Sequence, residues 1–222
     1  MIIGAVELGG KPLAGKRVLL ISADMSRLLA SVTTDENGLF RFDLSGEQLP
    51  TSAIIMAKIQ GPELAILHQA IDATDNELET FTRLQISNDQ FHTIRGRISS
   101  NHGWPPYLLL RVDPVHVAGV PEALEKFFNT VDENVIESWF YQLRLDGDSF
   151  ELRVQSGAYR LSAGYYCKSS PLETTENYSM SLVSPDGENP TQLTTPYAGF
   201  VLNVERDRTV NITITTVMTE NQ

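Results

Sequence analysis

The chain has 222 residues, 41% of them hydrophobic and 20% charged, a make-up that fits one large or two small globular domains and excludes a disordered chain. Its 17 basic and 28 acidic residues leave a net charge of −11, a field that repels a nucleic-acid duplex or an anionic membrane. The single cysteine, Cys167, excludes an internal disulfide and a cysteine-based zinc cluster, and no apolar run reaches the roughly 18 residues that a membrane-spanning helix needs.

The first elements are strands. Residues 2–44 read as strand, Gly-Pro turn, strand, strand, acidic Gly turn, strand. In Leu39-Phe40-Arg41-Phe42-Asp43-Leu44 the apolar Phe40, Phe42 and Leu44 share one face and Arg41 and Asp43 the other, the period of a half-buried strand. Asp35-Glu36-Asn37-Gly38 supplies residues that tolerate positive φ, so the chain reverses before that strand. Gly9-Gly10-Lys11-Pro12 makes the earlier turn, with Pro12 excluded from a central strand because it cannot donate to a ladder. Ala53-Ile54-Ile55-Met56-Ala57-Lys58-Ile59 and Leu64-Ala65-Ile66-Leu67 follow as middle strands of the same domain.

A second copy of the pattern begins after residue 90. Gly96-Arg97-Ile98 parallels Gly4-Ala5-Val6, and Leu108-Leu109-Leu110-Arg111-Val112 parallels Val18-Leu19-Leu20-Ile21. Asp146-Gly147-Asp148-Ser149-Phe150-Glu151-Leu152-Arg153-Val154 repeats the acidic turn and the strand of Phe40 and Phe42. Ala158–Ala163 and Thr209–Thr215 complete the set, with one further strand around Tyr178–Val183 among the long polar loops of residues 168–196. The fold is therefore expected to be all-β: two tandem antiparallel sandwiches, residues 1–88 and 89–222, with the boundary near Ser87-Asn88-Asp89-Gln90. Residues 114–136 form an insertion in the second. There, near 120–132, Leu124, Phe127, Phe128 and Val131 fall at i, i+3, i+4 and i+7, one apolar stripe of a short helix that starts at Pro121. The stripe is expected to cover its own sandwich, or else to serve as a docking helix for another subunit.

The residues Gly4-x-Val6, Gly10-x-Pro12-Leu13-x-Gly15, Val18-Leu19-Leu20 and Thr33-Thr34-Asp35-x-x-Gly38-x-Phe40-x-Phe42 resemble the carboxypeptidase regulatory-like family of transthyretin-like (prealbumin-like) domains. The resemblance covers roughly the first 45 residues well and the rest of the first domain loosely. It implies a β-sandwich of the transthyretin-like or immunoglobulin-like kind. Such domains serve as accessory modules on enzymes, adhesins, transporters and secretion or tail-like assemblies, so the likeness does not select a function. Some sandwich adhesin modules close with a Lys–Asn isopeptide bond. Lys11 and Lys16 lie near the first strands and Asn211 in the last, but Lys11 reads as a turn residue and no such bond is expected.

Chemistry is hard to find. His68, His92, His102 and His116 lie far apart with no metal-ligand spacing, and the acidic turns Asp35–Gly38 and Asp146–Asp148 offer fewer oxygens than calcium takes. No nucleophile elbow, phosphate loop or dinucleotide fingerprint is present. No catalytic, metal or cofactor residue is expected. The candidate interaction residues are Trp104 and Tyr107, held around Pro105-Pro106, and the helical Leu124, Phe127 and Phe128. The expected function is a non-enzymatic structural or protein-interaction module, a subunit or adaptor of a tail-like or secretion-type assembly, with a protein partner or self-assembly. The terminal strands Ile2–Leu8 and Thr209–Thr216 serve as its exposed edges. The alternative is a carbohydrate-binding or adhesin-type module that stacks a sugar on Trp104 and Tyr107. The opening residues enter a strand without a signal pattern, so a cytoplasmic location is expected, or an extracellular or periplasmic one if a signal was removed.

Overall fold

The structure is a computed structural model that describes residues 1–43, 52–72, 80–100, 108–130, 141–144, 147–165, 178–183, 191–193 and 199–216. It is an all-β protein with two compact units. The first takes Met1–Phe91 and Gly119–Asp132, the second His92–Ala118 and Glu133–Gln222.

The strands of the first unit are β1 (Ile2–Leu8), β2 (Lys11–Pro12), β3 (Arg17–Ser22), β4 (Leu28–Thr33), β5 (Leu39–Phe42), β6 (Ser52–Ile59), β7 (Glu63–Asp72) and β8 (Thr80–Ile86), and its helix is α1 (Glu122–Thr130). In one sheet β1 runs between β5 and β2 on one side and β8 on the other. In the second sheet the order is β4-β3-β6-β7, antiparallel throughout. Gly9 (φ 56°) and Gly10 (φ 76°) make the turn after β1, a conformation open to residues without a Cβ. Pro12 then sits in the two-residue edge strand β2, where its missing N–H costs no ladder bond.

Alternation sorts each strand into a core face and an outer face. Ile2, Val6, Phe40, Phe42, Leu84 and Ile86 from the first sheet meet Val18, Leu20, Ile55, Ala57 and Leu67 from the second, and all are buried. The Phe40 and Phe42 rings meet edge to face at 5.8 Å. The outer face of the second sheet is buried as well. Leu19, Ile21, Ile54, Met56 and Ile66 alternate with the core residues, yet each is under a tenth exposed. His68 shares that face, in register with Met56, and its Nε2 lies 2.8 Å from the Gly119 carbonyl oxygen. The chain that leads into α1 therefore starts over this face, and Val120, Leu124 and Phe127 are buried. The helix forms where the apolar spacing predicts it, but it belongs to the first unit and not to the sandwich in whose sequence it is inserted. The second sheet is apolar on both faces and so has an outer layer to be covered.

The second unit contains β9 (Phe91–Ser100, from His92 on), β10 (Leu108–Val117), β11 (Tyr141–Arg144), β12 (Ser149–Gln155), β13 (Gly157–Tyr165), β14 (Tyr178–Val183), β15 (Thr191–Leu193), β16 (Gly199–Val204) and β17 (Arg208–Thr216). One sheet runs β14-β17-β9-β12 and the other β11-β10-β13-β16-β15. Its buried side chains include Ile94, Ile98, Leu110, Val112, Phe150, Leu152, Tyr159, Leu161, Leu202 and Ile212. The Tyr159 hydroxyl donates to the Gln155 carbonyl oxygen at 2.6 Å, which satisfies the one polar atom of a fully buried ring.

The pairs β1–β8 and β9–β17 are parallel. This corrects the expectation of exposed terminal strands. β1 is paired on both sides, and β17 lies between β14 and β9. A strand's alternation reports its buried face but not its neighbours, so an interior strand reads like an edge. The expected boundary at Ser87–Gln90 is a 3-10 turn, Asn88–Gln90, that begins at Ser87 and precedes β9.

Candidate interaction surface

The residues singled out in sequence are not brought together. Trp104 and Tyr107, with His102, lie outside the described residues. Leu124 and Phe127 are 0% and 4% exposed, so they serve packing and offer no free face to a partner. Phe128 is on α1, and its side chain is outside the described residues. His68 anchors Gly119, and His92 Nε2 lies 2.8 Å from the Ser156 hydroxyl. In the acidic turn, the amides of Asn37 and Leu39 both donate to Asp35 Oδ1, so this carboxylate closes its own turn. The Lys16 ammonium donates to the Gln60 carbonyl.

A surface that the motif reading passed over is built by the first sheet of the first unit. On the face away from the core, β1 places Ile3, the buried Ala5 and Glu7, β5 places Leu39 and Arg41, and β8 places Phe81, Arg83 and Gln85. The register fixes a grid. One row holds Arg41, Ile3 and Phe81, and the next holds Leu39, Ala5 and Arg83. Phe81 is 58% exposed and Leu39 41%. With Val115 on β10 they are the exposed large apolar side chains among the described residues, and two of them frame the same pair of β1 positions.

Charge surrounds this apolar centre. Arg83 Nε lies 3.4 Å from Glu7 Oε1, and its guanidinium carbon is 6.0 Å from the centre of the Phe81 ring. Arg41 pairs loosely with Asp43 at 3.8 Å. Exposed pairs of this kind contribute roughly 0–1 kcal/mol, so they do little for the fold. An apolar centre with a charged rim is the anatomy of a contact surface, and soluble proteins rarely leave such a face bare without a use. β8 also pairs with β1 alone among the described residues, which leaves its other edge open. The signal was present in Thr80-Phe81-Thr82-Arg83-Leu84-Gln85-Ile86, where Phe81 falls in phase with Arg83 and Gln85 and out of phase with Leu84 and Ile86.

Among the described residues no group of His, Cys, Asp and Glu side chains is placed to hold a metal ion, and no helix is long and apolar enough to cross a membrane. The sequence matches no protein-family model and no curated protein. Among solved structures, an adhesin from Mobiluncus mulieris aligns over 93% of this chain and 87% of its own, at 8% identity and a TM-score of 0.35. The shaft pilin SpaA from Lactobacillus rhamnosus GG aligns over 99% and 98%, at 7% identity and a TM-score of 0.30. The major pilin T-13 of Streptococcus pyogenes aligns over 97% and 95%, at 10% identity and a TM-score of 0.31. Likenesses this distant carry no inference about activity.

Proposed function

We propose that this chain is a non-enzymatic protein-interaction or structural module, a subunit or adaptor of a larger assembly, and that it docks through the outer face of β5, β1 and β8. The observation that carries the reading is the exposure of Phe81 and Leu39 on one sheet face, around Ile3 and Ala5 and inside a charged rim. A sheet face with exposed Phe81 and Leu39 can bury a partner by area and complementarity. The engagement of His68 with Gly119 and of His92 with Ser156 supports structural roles for both imidazoles.

The two units are read as tandem copies of one transthyretin-like sandwich. The pairings β1–β5, β1–β8, β3–β4, β3–β6 and β6–β7 correspond to β9–β12, β9–β17, β10–β11, β10–β13 and β13–β16. A shared close approach supports the reading. A Cβ at Gly4 would stand 2.3 Å from the Phe40 ring and 2.2 Å from the Thr82 carbonyl oxygen. One at Gly96 would stand 2.9 Å from the Phe150 ring and 1.8 Å from the Val210 carbonyl oxygen.

A photo-crosslinking amino acid at position 81, in the full chain expressed in its own cell, tests the docking reading. A discrete adduct at 81 that is absent when the crosslinker replaces exposed Thr213 on β17 is the expected result. Equal labelling from both positions, or none from either, overturns it.

A further inference from the structure

We infer that the occupant of this face is a second copy of the chain, seated face to face about a two-fold axis. The inference rests on the docking reading above and names its partner. It follows from the grid. Place the axis between two apposed faces, running across the strands midway between the row of Ile3 and the row of Ala5. The rotation keeps each column and exchanges the rows. Ile3 of one copy then lies over Ala5 of the other, Phe81 over Arg83, and Arg41 over Leu39. A bulky side chain meets a small one, an aromatic face meets a guanidinium, and an arginine stem meets a leucine. Each is a favourable contact, and each occurs twice by symmetry. Turning the axis along the strands also brings Phe81 to Arg41 and Leu39 to Arg83, but it sets Ile3 on Ile3, Ala5 on Ala5 and Glu7 on Glu7, which leaves a gap and a like-charge contact. The face is thus self-complementary in one antiparallel arrangement, close to the aligned packing that sheets adopt.

Charge points to the same occupant. A chain of net charge −11 repels its own copies. On this face Arg41 and Arg83 balance Glu7 and Asp43, so the face itself adds no like-charge repulsion when two copies meet. The repulsion from the rest of the surface is long-range and is screened beyond about 8–10 Å at 0.1–0.15 M salt. Association is therefore expected to strengthen as salt rises from low to physiological levels.

Sedimentation equilibrium of the full chain over a concentration series tests the inference. The mass should rise from 24.7 kDa toward twice that value. Phe81→Lys sets an ammonium against the partner's guanidinium and should weaken association at least tenfold, whereas Phe81→Glu, facing the same arginine, should weaken it less. Adding Arg83→Glu to Phe81→Lys should restore most of the loss. Phe81 is exposed, and an unchanged thermal midpoint in each variant, measured at a dilution where every variant is monomeric, excludes unfolding as the cause. A chain that stays at 24.7 kDa, or a dimer indifferent to Phe81→Lys, overturns the inference. The crosslink at position 81 separates the two levels. An adduct with a different protein removes the second copy and leaves docking standing, and no adduct together with a monomeric mass removes both.

Discussion

Thr82 carries an unusual burden. It is 1% exposed on the core face of β8, in phase with Leu84 and Ile86, and its hydroxyl finds no hydrogen-bond partner among the described residues. A buried hydroxyl without a partner loses its water and gains nothing in return, at a cost of about 1–3 kcal/mol. Valine keeps the β-branched shape without the hydroxyl. Thr82→Val is therefore expected to stabilise the chain by about 1 kcal/mol, read as a higher urea midpoint at an unchanged slope, and a lower midpoint would show that the hydroxyl is satisfied in solution. Asp24 is the contrasting case of an exposed group held in place by neighbours. Hydrogen bonds from the Ser22 hydroxyl first, and then from the Ser26 side chain and amide, hold its carboxyl down at about 2. The sign follows from the depressed value. The ionised form is favoured by the folded turn, so its contribution is complete above the ordinary 3.8 and is lost as pH falls from there through about 2. Ser22→Ala should move the Asp24 midpoint up toward 3.8 in a carboxyl-detected NMR titration. A midpoint that stays near 2 would mean that Ser26 holds the carboxylate alone.

At the scale of elements, the two glycines on the parallel pairs are the sharpest test. Gly4 and Gly96 leave room for the rings of Phe40 and Phe150 and for a carbonyl of the neighbouring strand, β8 or β17. The obstructing atoms include backbone, which cannot swing aside. Gly4→Ala and Gly96→Ala are each expected to cost about 3 kcal/mol or more, at the upper end of overpacking penalties. Gly10→Ala meets nothing within 4 Å and should show only the smaller strain of its positive φ. Thermal unfolding of the three variants checks this, and equal losses would dismiss the close approach. These elements also divide what the sequence discloses from what it withholds. Phe40 and Phe42 alternate with Arg41, so the buried face of β5 is legible, and the spacing of Leu124 and Phe127 makes α1 legible. The similarity of Gly4-Ala5-Val6 to Gly96-Arg97-Ile98 is visible in the letters, and the shared close approach gives it a physical cause. Parallel pairing is not legible, because β1 and β8 alternate the same way whichever strands lie beside them. The docking face was missed for a related reason. Phe81 is remarkable only for the face it occupies, and the face is known only once the phase of β8 is fixed by Leu84 and Ile86.

For the whole molecule the important feature is that sequence order and compact units do not coincide. Gly119–Asp132 is inserted between strands of the second unit but clusters with the first. The outer face of the β4-β3-β6-β7 sheet explains why that matters. Leu19, Ile21, Ile54, Met56 and Ile66 form an apolar layer that residues 1–91 alone would leave without α1. Leu124 and Phe127 together bury two large side chains, roughly 1.5–3 kcal/mol each, on the scale of the whole stability margin of a small domain. A cut at the Phe91/His92 division would therefore not release a sound first unit. The fragment 1–91 is expected to aggregate or to unfold well below the intact chain. In the full chain, Leu124→Ala with Phe127→Ala should lower hydrogen-exchange protection in β6 and β7, which carry the apolar layer, more than in β1 and β8, which face the other way. Equal loss across all four strands would mean that the unit opens as one body. Unchanged protection everywhere would mean that the helix is not part of what holds the first unit together.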